Sequence, residues 1–324
     1  MVVFVGINIG GSSTGVAFGP AVGSKIIGYK TAALMMLIFA SLGSVLIGPN
    51  VVETLGKGLI PPEYFTKVAS IAILLFIGLG ILIGNLLKVP VSTSETAVGA
   101  FFGMGVAFSV LDWQLMGVIL IYWIVSLVIA FWVSAVIGRY FYKKIEEILN
   151  FKEGKRKKFA QILVIIVACF MAFSAGASNA ANAIAPLWGA GTIDMLPGVL
   201  LAGLTIGGGA FLLGPRTMKT VGHEITELPL EAALIVEIIS ATIITILSRL
   251  GIPASLAISA TISVIGLGWG RATRQKLKKD ATPKLKLYNI KTTKRIIMAW
   301  TITPVVAGLL ALVVFKAAVI IGLL

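Results

Sequence analysis

The residues best suited to chemistry in this 324-residue chain are uncharged ones. Residues 7–25 read INIGGSSTGVAFGPAVGSK, an apolar run that opens into Gly10, Gly11, Ser12, Ser13, Thr14 and Gly15 and then resumes. Residues 176–182, GASNAAN, repeat the theme with Gly176, Ala177, Ser178, Asn179 and Asn182. Hydroxyls and amides donate hydrogen bonds without carrying charge, and glycine lets a backbone approach a ligand closely. If each stretch interrupts a helix, the half-helix N-terminus adds free amide N–H groups at the positive end of its dipole, and the combination favours an anion. Small residues also let two helices pack closely, so one stretch alone reads equally well as a packing seam. Two stretches at one offset favour a site.

A second pair supplies more donors: KVPVSTSETAVGAFFGMG at 88–105 and GIPASLAISATISVIGLG at 251–268. Proline before a Ser/Thr run starts a helix, because the ring pre-sets the first turn and the hydroxyls lie beside exposed amides. Ser92, Thr93 and Ser94 would then point at the same anion. The later copy keeps Ser255 but has Leu256 and Ala257 next, which predicts an asymmetric site. Two carboxylates lie in apolar surroundings, Glu95 directly after these donors and Glu237 within LIVEIISATIITILSRLGIPAS. Ionisable residues inside a membrane mark ion or proton pathways. Glu95 is read as the proton carrier, with a field-tuning carboxylate in a wet vestibule as the rival; Glu237 reads as coupling or as an interhelical contact.

The elements that hold these residues are membrane helices. Hydrophobic residues make up 58% of the chain and charged ones 12%, and the mean hydropathy is +1.02. A span of roughly 17–25 apolar residues crosses a bilayer core. Ten such segments are expected, near 1–23, 31–49, 68–87, 89–111, 113–138, 159–187, 195–215, 230–250, 252–270 and 296–324. The first lacks a basic leader and a cleavage site, so it is read as a span. The net charge of +14 records topology rather than nucleic-acid binding, because cytoplasmic loops collect Lys and Arg. With ten crossings and both termini outside, 23 basic residues face in, against three outside, Lys57, Lys67 and Arg249. Eight of the 23 lie between Arg139 and Lys158 and ten between Arg271 and Arg295, where they are also able to meet anionic lipid.

The chain also repeats itself. A shift of 166 pairs Gly10 with Gly176, Ser12 with Ser178, Pro20 with Pro186 and Gly48-Pro49 with Gly214-Pro215; it also pairs Gly56 with Gly222. A shift of 163 pairs Pro90 with Pro253, Ser92 with Ser255 and Gly103 with Gly266. Five segments per unit is an odd number, so the second unit enters the membrane from the opposite side. The expected organisation is a first inverted repeat at 1–138, a basic cytoplasmic linker at 139–158 and a second repeat at 159–324. Inverted repeats place a site near the midplane, where interrupted helices meet.

The stretches VAFGPAVGSK, GASNAANAIAPL and KVPVSTSETAVGA resemble the inorganic phosphate transporter family, whose duplicated motif reads approximately G-A-N-D-V-A-N-A-x-G with a downstream P-V-S-T-T-H. The resemblance covers nearly the whole chain. It implies an all-α integral membrane protein of two inverted repeats, usually a homodimer. Aligned to that motif, Ser13 and Asn179 stand where the family has aspartates implied to serve sodium and phosphate. Ser12, Ser178 and Val16 replace asparagines, Asn182 is kept, Glu95 takes the histidine position and Glu237 matches a family glutamate. The family's sulfate permease branch has neutral motifs of this kind and a P-x-S-T-S-E element, and the chain resembles that branch more closely.

Chemistry agrees with the branch. Phosphate near neutral pH carries an O–H that needs an acceptor, whereas sulfate wants only donors. The expectation is a multi-pass cell-membrane transporter importing sulfate by proton symport, with no cofactor. The alternatives are a sodium- or proton-coupled phosphate symporter and a passive anion channel. An enzyme is not expected. The single histidine, His223, cannot build a histidine metal site, and no H-E-x-x-H or nucleophile elbow occurs. The one cysteine, Cys169, reads as packing.

Overall fold

The computed structural model describes residues 1–86, 91–149, 154–220, 229–278 and 290–322. Lys88, Pro90, Gly222, His223 and part of the basic linker lie outside the described residues, as does most of the second basic loop. Among the described residues the secondary structure is helical throughout. Eight helices are long and apolar enough to cross a membrane.

The first half runs α1 (Val2–Gly23), α2 (Tyr29–Leu46), the short α3 (Gly48–Glu53) and a wide turn at 54–58, then α4 (Lys67–Leu86), α5 (Thr93–Phe108) and α6 (Trp113–Val136). After a short α7 (Tyr142–Leu149) come α8 (Gly154–Gly189), α9 (Met195–Leu212), α10 (Gly214–Thr220), α11 (Leu230–Arg249), α12 (Leu256–Lys278) and α13 (Ile290–Ile320). Local chemistry sets several of these ends. Asp112 caps α6 by accepting from the Leu115 N–H at 2.8 Å. Ser109 ends α5 in the left-handed region, and Gly251 follows α11 at φ +76°, a conformation that costs glycine little.

The expected breaks at GGSSTG and GASNAAN do not occur: both stretches lie inside continuous helices, α1 and α8. Their glycines serve packing instead. A methyl at Gly10 would run into the Ile206 carbonyl oxygen of α9, and one at Gly176 into that of Ala40 in α2. The chain is interrupted at two other pairs of places. Ile47 and Leu213, each just before a Gly-Pro, end α2 and α9 with similar backbone angles (φ −125° and −112°), where the proline N removes a helix hydrogen bond. The second pair is the gap before α5 and the gap before α12.

These last gaps join four of the expected segments into two helical hairpins. A methyl at Gly84 would meet Val91 and one at Gly80 would meet Thr96, so α4 and α5 run antiparallel. At their open end Tyr64 stacks on Phe108 at 5.2 Å, and the Asp112 N–H donates to the Leu59 carbonyl. Likewise Tyr142 reaches Glu231 at the start of α11 and carries the Arg271 guanidinium of α12 over its ring. Both hairpins therefore return to the face they left. The four segments 68–87, 89–111, 230–250 and 252–270 are all present as helices, and the tip of the first pair meets α1 midway along its length, where the Val91 N–H donates to Ser12 Oγ. Neighbour contacts give the remaining directions. Gly6 faces Thr205 and Gly10 faces Gly209, so α1 and α9 run parallel, while Gly99 facing Pro304 and Gly103 facing Gly308 make α5 and α13 parallel. The start of α1 and the end of α13 consequently lie on one face.

Candidate functional site

Four elements converge midway along α1. The hairpin tip before α5 meets α1 where the Val91 N–H donates to Ser12 Oγ at 3.1 Å. It meets α8 where Thr93 Oγ1 donates to Asn179 Oδ1 at 2.5 Å. The tip before α12 closes the group: Ser94 Oγ donates to the Ala254 carbonyl at 3.0 Å, and Ser178 Oγ donates to the same oxygen at 2.7 Å. The Ala254 N–H donates back to Ser178 Oγ at 3.2 Å, and Ser94 Oγ lies 3.4 Å from Ser178 Oγ. Asn179 Nδ2 is anchored on the Ala175 carbonyl at 2.8 Å, and Asn182 Nδ2 donates to Asn179 Oδ1 at 2.9 Å. This chain of bonds fixes both amide orientations.

The N-termini of α5 and α12 point into this group. Ser255 Oγ accepts from the Ile258 N–H at 3.3 Å, whereas Ser92, at the start of α5, makes no such bond. Each helix start carries roughly half a positive charge. Ser92 Oγ and Asn182 Oδ1 are fully buried and have no hydrogen-bond partner. Buried polar atoms are rarely left so, and these two lie beside the bonded group. None of the residues joined in this cage is charged.

The structure sorts the sequence candidates. Ser12, Thr93, Ser94, Ser178, Asn179 and Asn182 are joined by the bonds above, and Ser92 and Ser255 head the two helices. Ser13 is buried in α1 one residue from Ser12, and Ala177 is buried in α8 beside Ser178. Gly10, Gly11 and Gly176 turn elsewhere: Gly11 faces the Leu213 side chain, and the other two face neighbouring backbones. Their tight packing, rather than ligand approach, explains those glycines.

The two carboxylates separate from the cage. Glu95 lines a groove against α6 and α13. Glu237 is 3% exposed on α11, with Oε1 unpartnered; Ser240 and Ala241, one turn on, contact Ser263 of α12 and Ser174 of α8. Sequence reading missed the Ala254 carbonyl and Trp123, whose indole N–H donates to the Pro253 carbonyl at 2.6 Å. Of the three tryptophans in α6, Trp113, Trp123 and Trp132, only Trp123 lies midway, and an indole N–H at that depth of an apolar helix is the signal that would have found it.

Among the described residues this is a multi-pass helical membrane fold whose two hairpin tips meet in an uncharged, hydrogen-bonded group. Residues 9–311 match the model of the phosphate transporter family, and the chain belongs to that family. It is 36% identical to the sulfate permease CysP of Bacillus subtilis over 273 residues, covering 83% of this chain and 75% of that protein. It is 26% identical to a putative phosphate permease of Thermococcus kodakarensis, covering 97% of this chain and 95% of that one, and similarly related to one of Pyrococcus furiosus. Among solved structures, a sodium-dependent phosphate transporter shares the fold with a TM-score of 0.79 at 22% identity, over 99% of this chain and 97% of that one.

Proposed function

We propose that this protein imports sulfate by proton symport, with the cage at the two hairpin tips as the anion site. The observation that carries this reading is the neutrality of the cage, where Ser13 and Asn179 occupy positions that the family resemblance gives to aspartate. A dianion is held by donors and helix starts and repelled by carboxylates. The relative at 36% identity being a sulfate permease supports the same anion. Two negative charges entering against about 100 mV cost roughly 4.6 kcal/mol, so accumulation needs a coupled cation. Glu95 carries the coupling proton on this reading, and Glu237 is its reserve.

Two inverted halves, residues 1–138 and 159–324, joined by the linker 139–158, build the cage. Supporting this, the pair Gly10–Ile206 has its counterpart 166 residues away in Gly176–Ala40, and Gly43–Phe173 has one in Gly209–Ile7. The helices after the two tips also begin 163 residues apart, at Thr93 and Leu256.

Phosphate is the second reading. Asn182 Oδ1 is an orphaned acceptor, the kind of atom a phosphate O–H needs, and several relatives are named putative phosphate permeases. Uptake of labelled sulfate and phosphate into proteoliposomes, under imposed proton or sodium gradients, decides between them. Sulfate uptake driven at least tenfold by an inward proton gradient, with excess phosphate competing weakly, is the expected result. Phosphate uptake driven by sodium, with sulfate inert, overturns it.

A further inference from the structure

Glu95 follows Ser94 directly yet faces away from the cage. On α5 the positions 95, 98, 99 and 102 fall on one face at three- and four-residue spacing, and all four line one groove of about 470 Å³. Thr93, the residue that reaches Asn179, lies on the opposite side of the helix. The far walls come from α6, with Met116 and Trp123, and from α13 around Pro304. Glu95 Oε2 is buried there without a hydrogen-bond partner. The walls from α5, α6 and α13 add two indoles and the Thr301 hydroxyl, and among the described residues Glu95 is the one titratable group lining the groove.

We infer that the coupling proton reaches Glu95 through this groove, so that proton and anion approach opposite faces of α5 by separate routes. The inference rests on the proton-symport reading above. Apolar walls exclude a sulfate dianion, which would lose its hydration without gaining donors. A short file of waters hydrogen-bonded to the Glu95 carboxylate passes a proton by hopping, so that no bare ion crosses the apolar walls. The Glu95 carboxylate takes one proton from hydronium, leaving a neutral acid and a water, and later returns that proton to a water. Coupling then travels through α5 itself, whose first turn holds the cage on one side and the acid on the other. Trp123 strengthens the connection, because it lines the groove while its N–H holds Pro253, the neighbour of the shared Ala254 carbonyl.

The test plugs the groove in a protein that is already folded. Met116→Cys in a Cys169→Ser background is reconstituted and modified with benzyl methanethiosulfonate, and Phe102→Cys serves as an independent second site. Two fluxes are read before and after modification: sulfate uptake driven by an inward proton gradient, and sulfate exchange at equal pH. Driven uptake should fall at least tenfold while exchange stays within twofold. Driven uptake unchanged at both positions, or exchange falling in parallel, overturns the separate route. A Cys169→Ser reference that ignores the proton gradient removes proton coupling itself, and the route with it.

Discussion

At the scale of single residues, the proposed choice of sulfate turns on two uncharged side chains, Ser13 and Asn179. Asn179 stands at the centre of the cage, accepting from Thr93 and Asn182 through one oxygen. Ser13→Asp together with Asn179→Asp would place two carboxylates against a dianion and take away the orientation that Asn179 Nδ2 draws from Ala175. The double variant should weaken sulfate binding at least 100-fold, read as the half-saturating concentration for exchange; unchanged affinity would show that these positions do not line the site. Most of this cage was legible from residue types and spacing, since Ser12, Thr93, Ser94, Ser178 and Asn179 do meet. The glycines were misread for a physical reason. A mid-helix glycine costs roughly 1 kcal/mol by propensity, but close helix approach in a membrane recovers it, so Gly10 and Gly176 stay helical with a neighbouring carbonyl where a side chain would be. Sequence alone gives the same signal for a break and for a seam.

At the scale of elements, hydropathy counted ten apolar segments but carries no sign of direction. Two successive helices return to the same face whether or not they cross fully, and it is the bonds of the tips to the middle of α1 and to α8 that place the tips of both hairpins among the other helices. Their tips touch through one carbonyl, that of Ala254, which accepts from both Ser94 and Ser178. Trp123 holds the neighbouring carbonyl from α6. Trp123→Phe keeps the aromatic bulk and removes the single donor, so stability should change little, by about 1 kcal/mol. The looser tip should loosen coupling more than binding. Sulfate affinity is expected to stay within threefold while the ratio of gradient-driven uptake to exchange falls fivefold or more. An equal fall in both fluxes would make Trp123 a structural residue of the bundle and nothing more.

At the scale of the whole molecule, the directions of the helices place Lys57 and Arg274 at opposite ends. Lys57 lies in the wide turn after α3, its ammonium 4.1 Å from the Trp188 ring near the end of α8. Arg274 lies on α12 one turn beyond Arg271, which stacks on Tyr142 beside the basic linker. The face shared by that linker and the second basic loop carries most of the chain's Lys and Arg, and such faces stay in the cytoplasm. The depth of the two hairpins does not alter this assignment, because an antiparallel pair returns to the face it left whether or not it crosses fully. Lys57→Cys and Arg274→Cys, each in a Cys169→Ser background, should therefore react differently with a membrane-impermeant maleimide. Intact cells should label position 57 alone, and position 274 should label only after permeabilisation. Labelling of both from outside would break the link between the helix directions and the charge distribution, and with it the placement of both termini on the outer face.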